Sequence, residues 1–561
     1  MLKNLLKLSL VLLLCLPNVV TAQTKQKISL LLYNGKVFTA DEKFTVAEAV
    51  AVDGERIVAV GTSAELKAKY QAVSEIDLRG RLVTPGFNDA HVHFFRGALS
   101  LLNVGLNDAK TLAEATAKVA AKAKEVKAGE WIVGRGWDHT VWGNKFPTRR
   151  DLDAVAPNNP VFLVRVDGHV AWVNSEALKL TRIDKATKNL EGGEIERDAN
   201  GEPTGILKET AQRMVSVLIR QPTKEQETKG LELALKMARE YGITSVQDNS
   251  GYETTKLYRE FLNKNKLTVR VSEWQDFEDS VAELKRQRGE FAAFKDNPLR
   301  LKLTALKGYV DGTLGSKTAA MLAPFSDDAG NSGIPRRSPE ELTRMIVERD
   351  KEGWQIALHA IGDGANRMAL GGFSTAENLG GDKNIKPNRR HRIEHAQVVS
   401  PSDFKRFAEL GIVASMQPTH AISDKRWAES RLGEYRVLGA YAWHLMKSYN
   451  VHVPFGTDFP VESINPYQTI YAAVSRQDTE GIPVGGWQPQ EKLTIEEAIR
   501  CHTFESAYAE FSENEKGEIV AGKLADLVVH SKDLLTVSHR EILTSEPVYT
   551  IFNGQIIYER K

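Results

Sequence analysis

His91 and His93 stand one residue apart in the string Leu82-Val83-Thr84-Pro85-Gly86-Phe87-Asn88-Asp89-Ala90-His91-Val92-His93. Side chains two apart on an extended strand share a face, so both imidazoles can converge on one point, a geometry for gripping a metal ion. A His-x-His pair alone is common. Its company here is not: Ala357-Leu358-His359 and Val453-Pro454-Phe455-Gly456-Thr457-Asp458 are short, largely apolar runs that close on a His or an Asp, and Arg392-Ile393-Glu394-His395 likewise closes on a His. Widely separated strand ends carrying ligand-type residues predict one shared site. Imidazole and carboxylate without thiolate suit zinc and related divalent ions.

Such an ion lowers the pKa of water from about 15.7 to about 7 and polarises a carbonyl as a Lewis acid. Asp458 would then take the proton of the attacking water and pass it to a leaving nitrogen, in addition to serving as a ligand. Three further residues are candidates for substrate contacts. His169, in Arg165-Val166-Asp167-Gly168-His169, could donate a hydrogen bond to a substrate carbonyl or its oxyanion. Gln417 and His420 follow the strand-like run Gly411 to Met416 and are expected on the same active face. Trp131, Trp137, Trp142 and Trp172 are either an apolar wall for the substrate or ordinary core.

The elements that must position these residues alternate. Apolar runs such as Ile243 to Gln247 and Gly411 to Met416 follow helix-like stretches, Glu225 to Tyr241 and Asp403 to Leu410. That alternation predicts parallel β/α units, and ligands gathered from many strand ends favour a closed (β/α)₈ TIM-type barrel over an open sheet. The barrel is expected over residues 85–510, with an inserted subdomain at about 130–209, where Gly, Pro and Trp interrupt short β-type runs. Residues 23–84 and 511–561 both read as short strands and turns, with Asn553-Gly554 as a hairpin signal. Each alone has too few strands to bury a face, so the two ends are expected to pair into one discontinuous β-sandwich domain.

The chain has 561 residues, with 74 basic and 73 acidic side chains and 42% hydrophobic residues. That length allows a large core and more than one domain, and the balanced charge offers no basic footprint for nucleic acid. A small, roughly neutral molecule is the expected partner; no oligomeric state follows from the sequence. At the start, Lys3 and Lys7 precede an apolar run from Leu8 to Leu16, and Val20-Thr21-Ala22 resembles a cleavage site. Residues 1–22 are therefore expected to be a secretory signal peptide, giving a secreted or periplasmic protein. The run is shorter than the roughly 20 residues needed to span a bilayer, so no stable membrane anchor is expected after removal. Cys15 follows Leu14 rather than a small residue, which disfavours lipidation. A mature chain would keep Cys501 alone, without an intramolecular disulfide.

Taken with Leu152-Asp153-Ala154-Val155-Ala156-Pro157, Tyr309-Val310-Asp311-Gly312-Thr313-Leu314-Gly315-Ser316 and Gln417-Pro418-Thr419-His420, these strings resemble the amidohydrolase superfamily of metal-dependent hydrolases. The likeness runs from about Ile28 to the C-terminus and is to the long-chain branch that includes N-substituted formamide deformylase. It implies hydrolysis of a non-peptide C–N bond in a small amide, with Asp458 as the proton-transferring carboxylate. A lactonase or esterase on the same scaffold, or a catalytically silent metal-binding protein, are the alternatives. By the same resemblance Lys307, at the end of the fourth strand, would be carboxylated and bridge two zinc ions. Lys302 is the competing lysine, and a plain ion pair of Lys307 with Asp311 is the alternative to the carbamate.

Overall fold

A computed structural model of the protein describes residues 25–165, 168, 170–190, 192–219, 221–379 and 388–561. The expected signal peptide and His169 lie outside the described residues. Seven parallel strands form the central sheet: β1 (Phe87–Val92), β2 (Ile243–Asp248), β3 (Arg270–Asp276), β4 (Leu301–Tyr309), β5 (Gln355–Ala360), β6 (Arg392–His395) and β7 (Val413–Ser415). They are hydrogen-bonded in that spatial order. Such strands are buried on both faces, and β1, β2 and β5 are buried at every residue.

The sheet nearly closes on itself. Where an eighth strand is expected, residues 452–458 hydrogen-bond to both edges: Ala414 N–H to the His452 carbonyl at 3.0 Å, Ala90 N–H to the Phe455 carbonyl at 3.0 Å and Asp458 N–H to the His91 carbonyl at 2.7 Å. Pro454 lacks a backbone donor, which keeps this segment from building a regular ladder.

Helices cover the outside. In Lys224–Glu240, Thr223 and Gln226 form a capping box, and Leu231, Ala234, Leu235 and Ala238 recur on one buried face. That face packs into the same apolar core as Phe87, Val246 and Leu257. Chain reversal after each strand carries the loops to the C-terminal mouth, where the sequence places its histidines.

Two further sheets lie N-terminal to the barrel or draw on both ends of the chain. A four-stranded sheet holds Gln26–Tyr33, Ala49–Asp53, Arg56–Gly61 and Tyr70–Asp77. A six-stranded sheet joins Lys36–Phe38, Val46–Ala47 and Leu82–Pro85 to Leu527–His530, Pro547–Phe552 and Gln555–Glu559. Leu30, Leu32, Val50 and Val52 of the first pack with Val83, Leu527, Val529 and Ile551 of the second.

A fourth sheet contains Ile132–Trp137, Val161–Arg165, Val170–Val173, Gly193–Arg197 and Pro203–Glu209, and reaches back to Val104–Gly105. Val104–Gly105 pairs with Ile132–Trp137, and Val104 and Leu106 join the apolar cluster of that sheet. Among the described residues no helix is long and apolar enough to cross a membrane.

Candidate metal centre

His91 ends β1 fully buried, and its Nδ1 faces the Glu394 carboxylate at 2.5 Å. A carboxylate accepts, so the Nδ1 carries the proton and the Nε2 lone pair turns inward. The same logic fixes the other three rings. His93 donates from Nδ1 to the Asn249 carbonyl at 3.0 Å, His395 from Nδ1 to Gln417 Oε1 at 2.8 Å, and His359 from Nε2 to the Gly312 carbonyl at 3.0 Å. Each imidazole therefore commits its proton outward and keeps one bare nitrogen. Burial pushes His91 down to about 4 and His359 to about 3, and holds His395 well below the usual range, so these rings are neutral, the form that ligates metals.

Two of the inward nitrogens face Asp458. Its Oδ1 lies 3.2 Å from His93 Nε2 and 3.5 Å from His91 Nε2, and accepts no hydrogen bond. A buried carboxylate oxygen facing imidazole lone pairs calls for a cation among them, a role open to a metal ion or to the Lys307 ammonium. One donor atom from each of His91, His395 and Asp458 lies within 4.8 Å of the others. The His359 and His395 ring centroids are 4.5 Å apart, which brings His359 to the same cluster. The donor set thus fits a divalent ion. Backbone conformations rare for residues with side chains occur here as well, with φ of 73° at His395 and 57° at Asp458.

Lys307 projects from β4 into this cluster, fully buried, with Nζ 3.3 Å from His91 Nε2. Burial draws its amine down to about 8. Lys302, at the other end of the same strand, is instead tied to Glu510 at 3.1 Å and to Ser512 at the opposite face of the barrel. Asp311 forms no ion pair with Lys307 among the described residues. It accepts backbone N–H groups of Ala320, Ile361 and Gly362 at 2.8 to 3.0 Å.

His420 reaches the site: its Nε2 is buried without a hydrogen-bond partner, 3.7 Å from Asp458 Oδ2, and its ring stacks on His395. Gln417, expected to face a substrate, instead holds His395 from behind. Trp137 and Trp172 are core, fully buried with their indole N–H groups on the Leu163 and Thr148 carbonyls, while Trp131 and Trp142 are half-buried against the inserted subdomain's apolar clusters.

Several contributors escaped sequence reasoning. Glu394 holds His91, and Arg392 clamps Glu394 through Nε at 2.7 Å. Beside these charges the usual burial penalty is overcome and Glu394 sits at about 2. Asp89 accepts from Thr457 N–H and Oγ1, fastening β1 to the segment that presents Asp458. Trp274 packs edge-on against the His91 ring at 5.5 Å from within the barrel.

A parallel barrel that gathers His91, His395 and Asp458 at its mouth, with His93 and His359 beside them, defines a metal-dependent hydrolase of the amidohydrolase type. Residues 74–558 match the amidohydrolase family, and the chain belongs to it. A short second match, residues 49–70, is to an imidazolonepropionase-like composite domain of bacteria. Among similar proteins, LONG AFTER FAR-RED 3 of Arabidopsis thaliana is 34% identical over 94% of this chain and 91% of its own length. N-substituted formamide deformylase of Arthrobacter pascens is 28% identical over 95% of this chain and 98% of its own. The crystal structure of an uncharacterized metal-dependent hydrolase from Pyrococcus horikoshii OT3 superimposes with a TM-score of 0.73, at 27% identity, over 91% of this chain and 99% of that one.

Proposed function

We propose that this hydrolase cleaves a non-peptide C–N bond in a small amide. The observation that carries the reading is the orphaned Asp458 Oδ1 among imidazoles whose protons all point away. His91, His93, His359, His395 and Asp458 would hold the ion, and Lys307, as a carbamate, would bridge a second. Zinc held there supplies an activated water and a Lewis acid for the carbonyl. Asp458 accepts the water's proton and delivers it to the leaving nitrogen, which cannot depart as an amide anion. His420 donates from its unpartnered nitrogen to the carbonyl oxygen as charge develops. His169 keeps the substrate-facing role read from the sequence.

The same proposal covers the rest of the chain. The shared six-stranded sheet and its common core support a discontinuous β-sandwich domain made from both ends. Lys3, Lys7 and the apolar run to Leu16 support export.

The test is turnover by zinc-loaded protein of matched panels: N-substituted formamides and other N-acyl amines against the corresponding esters and lactones. Amides should be hydrolysed, and formamide relatives are the first to try given the similarity to the Arthrobacter enzyme. Turnover of esters or lactones alone would move the assignment to a lactonase or esterase. No turnover by fully metallated protein would make it a silent metal-binding member.

A further inference from the structure

Behind His93 lies a pair of acidic residues that the mechanism above does not use. Asp248 and Glu273 are direct neighbours in the β2–β3 register, both fully buried. No ion pair to either exists among the described residues. Asp248 accepts three hydrogen bonds, from Phe94 N–H at 2.6 Å, Ser250 Oγ at 2.7 Å and Tyr258 Oη at 2.5 Å. Glu273 Oε1 accepts from Gly251 N–H at 2.8 Å and Ser250 N–H at 3.2 Å.

The remaining oxygen of Glu273 is the informative one. Thr254 Oγ1 lies 2.9 Å from Glu273 Oε2 and 2.7 Å from the Gly251 carbonyl. A hydroxyl has one proton, and a carbonyl can only accept. That single proton serves one of the two acceptors, whereas the Glu273 carboxyl also hydrogen-bonds the Asp248 carboxyl, a contact that requires a proton on one of the pair. Two adjacent buried carboxylates without a cation cannot both ionise, which supplies the same answer from electrostatics. Burial also pushes both carboxyls up, Glu273 well above the ordinary glutamate range.

We infer that Glu273 is a neutral carboxylic acid beside an ionised Asp248, and that the pair is a positioning unit for His93. The geometry shows the route. Glu273 pins the backbone of Ser250 and Gly251, while Asp248 pins Phe94 N–H and the Ser250 hydroxyl. Ser250 Oγ in turn accepts from Phe95 N–H at 3.2 Å. Between these anchors sits Asn249, whose carbonyl takes the Nδ1 proton of His93. The two residues flanking that contact on both strands are thereby fixed, and with them the direction of the His93 lone pair.

The inference rests on His93 being a ligand, and the experiment separates the two readings. Difference infrared spectra of metal-free wild type minus Glu273→Gln should show a protonated-carboxyl C=O band lost in the variant. Glutamine reproduces the shape and the donor, so its zinc affinity, measured by chelator competition, should stay within about threefold of wild type. Asp248→Asn removes an acceptor and its charge, and should weaken zinc by about 10- to 100-fold, the usual effect of an outer hydrogen-bond partner. If Asp248→Asn does not fold, Ser250→Ala, which removes one anchor only, should weaken zinc measurably on its own. Absence of the acid band, or a Glu273→Gln loss as large as that of Asp248→Asn, overturns the inference. A band present in a wild type that binds no zinc would instead overturn the metal reading and leave the neutral acid standing.

Discussion

Nδ1 of His91 lies 2.5 Å from Oε2 of Glu394, with both side chains inaccessible to solvent, on the far side of the ring from Asp458. Arg392 completes the arrangement: it bonds Glu394 through Nε, and reaches the Ala90 carbonyl at 2.8 Å and Ser415 at 3.1 Å, as well as Gln247. Since β1 and β2 are not neighbours of β6, these contacts cross the barrel interior. A charged pair there links the ligand on β1 to the strand that supplies His395.

Glu394→Gln keeps the shape and removes the charge. Arg392 is then buried without its counter-ion, which costs about 3 to 5 kcal/mol when such a pair is broken from one side. His91 also loses the strong acceptor that fixes its tautomer, so zinc affinity should fall by about 10- to 100-fold. Denaturant unfolding of the metal-free protein reads the first effect and chelator competition the second. Wild-type values in both would show that Glu394 is a bystander.

At the opposite end of the barrel, Glu510 accepts from Lys516 at 2.7 Å, Lys302 at 3.1 Å and Asn88 at 2.9 Å, with Ser272 also bonded. Burial would push its carboxyl up, but the two ammonium groups outweigh that and hold it at about 2, against an ordinary 4.5. Lys516, drawn down to about 8 by burial, is still a cation at neutral pH. A depressed carboxylate contributes stability that is complete above about pH 4.5 and is lost as pH falls towards 2. The shift corresponds to roughly 3 kcal/mol. Glu510→Gln should lower stability at pH 7 and flatten its decline between pH 5 and pH 3, measured by urea unfolding at each pH. An unchanged acid limb would remove Glu510 from the account.

Much of this site is legible in the sequence because strand geometry is simple. The i, i+2 spacing of His91 and His93, and the placing of His359, His395 and Asp458 at the ends of apolar runs, translate directly into position. Glu394 is hidden by the same rule. Neighbours on a strand face opposite ways, so a ligand at His395 implies that Glu394 points elsewhere. The backbone breaks the alternation there, with positive φ at His395 and Ala396. Arg392 and Glu394 then share the interior while His395 turns to the mouth. Two opposite charges at i and i+2, flanking Ile393 just before His395, were the available signal. For the tryptophans there was none, since spacing alone does not separate a substrate wall from the core of an inserted sheet. The boundary of that sheet at Val104 was equally silent, because the two-residue strand Val104–Gly105 is fixed only by pairing with Ile132–Trp137.

The two ends of the chain should stand or fall together. Leu82–Pro85 lies between Lys36–Phe38 and Leu527–His530, with Val83 opposite Val529. A chain ending at Glu515 would lose three strands of that sheet and bare Val83, Leu30 and Val52. Limited proteolysis should then cut within residues 26–77, which the full chain protects. Protection equal to the full chain would mean that the N-terminal strands form a domain of their own.

A variant at Lys307 tests the proposed number of ions. As an amine the residue is the single cation among the lone pairs of His91 and its neighbours in the described cluster, and it would repel any metal placed there. Capture of CO₂ on its uncharged form, with loss of a proton, would convert it into an anionic ligand, and burial already lowers the amine to about 8. Lys307→Ala should therefore reduce bound zinc from about two ions towards one or none. Asp458→Asn should retain most of the metal and lose the proton transfer, a loss of at least 10²- to 10⁴-fold in turnover. Both variants lose activity, so metal content is what separates them. Elemental analysis of each, on protein purified with and without bicarbonate, makes the comparison. If Lys307→Ala carries as much zinc as wild type, the carbamate is wrong, and a single ion held by histidines and Asp458 is the centre that remains.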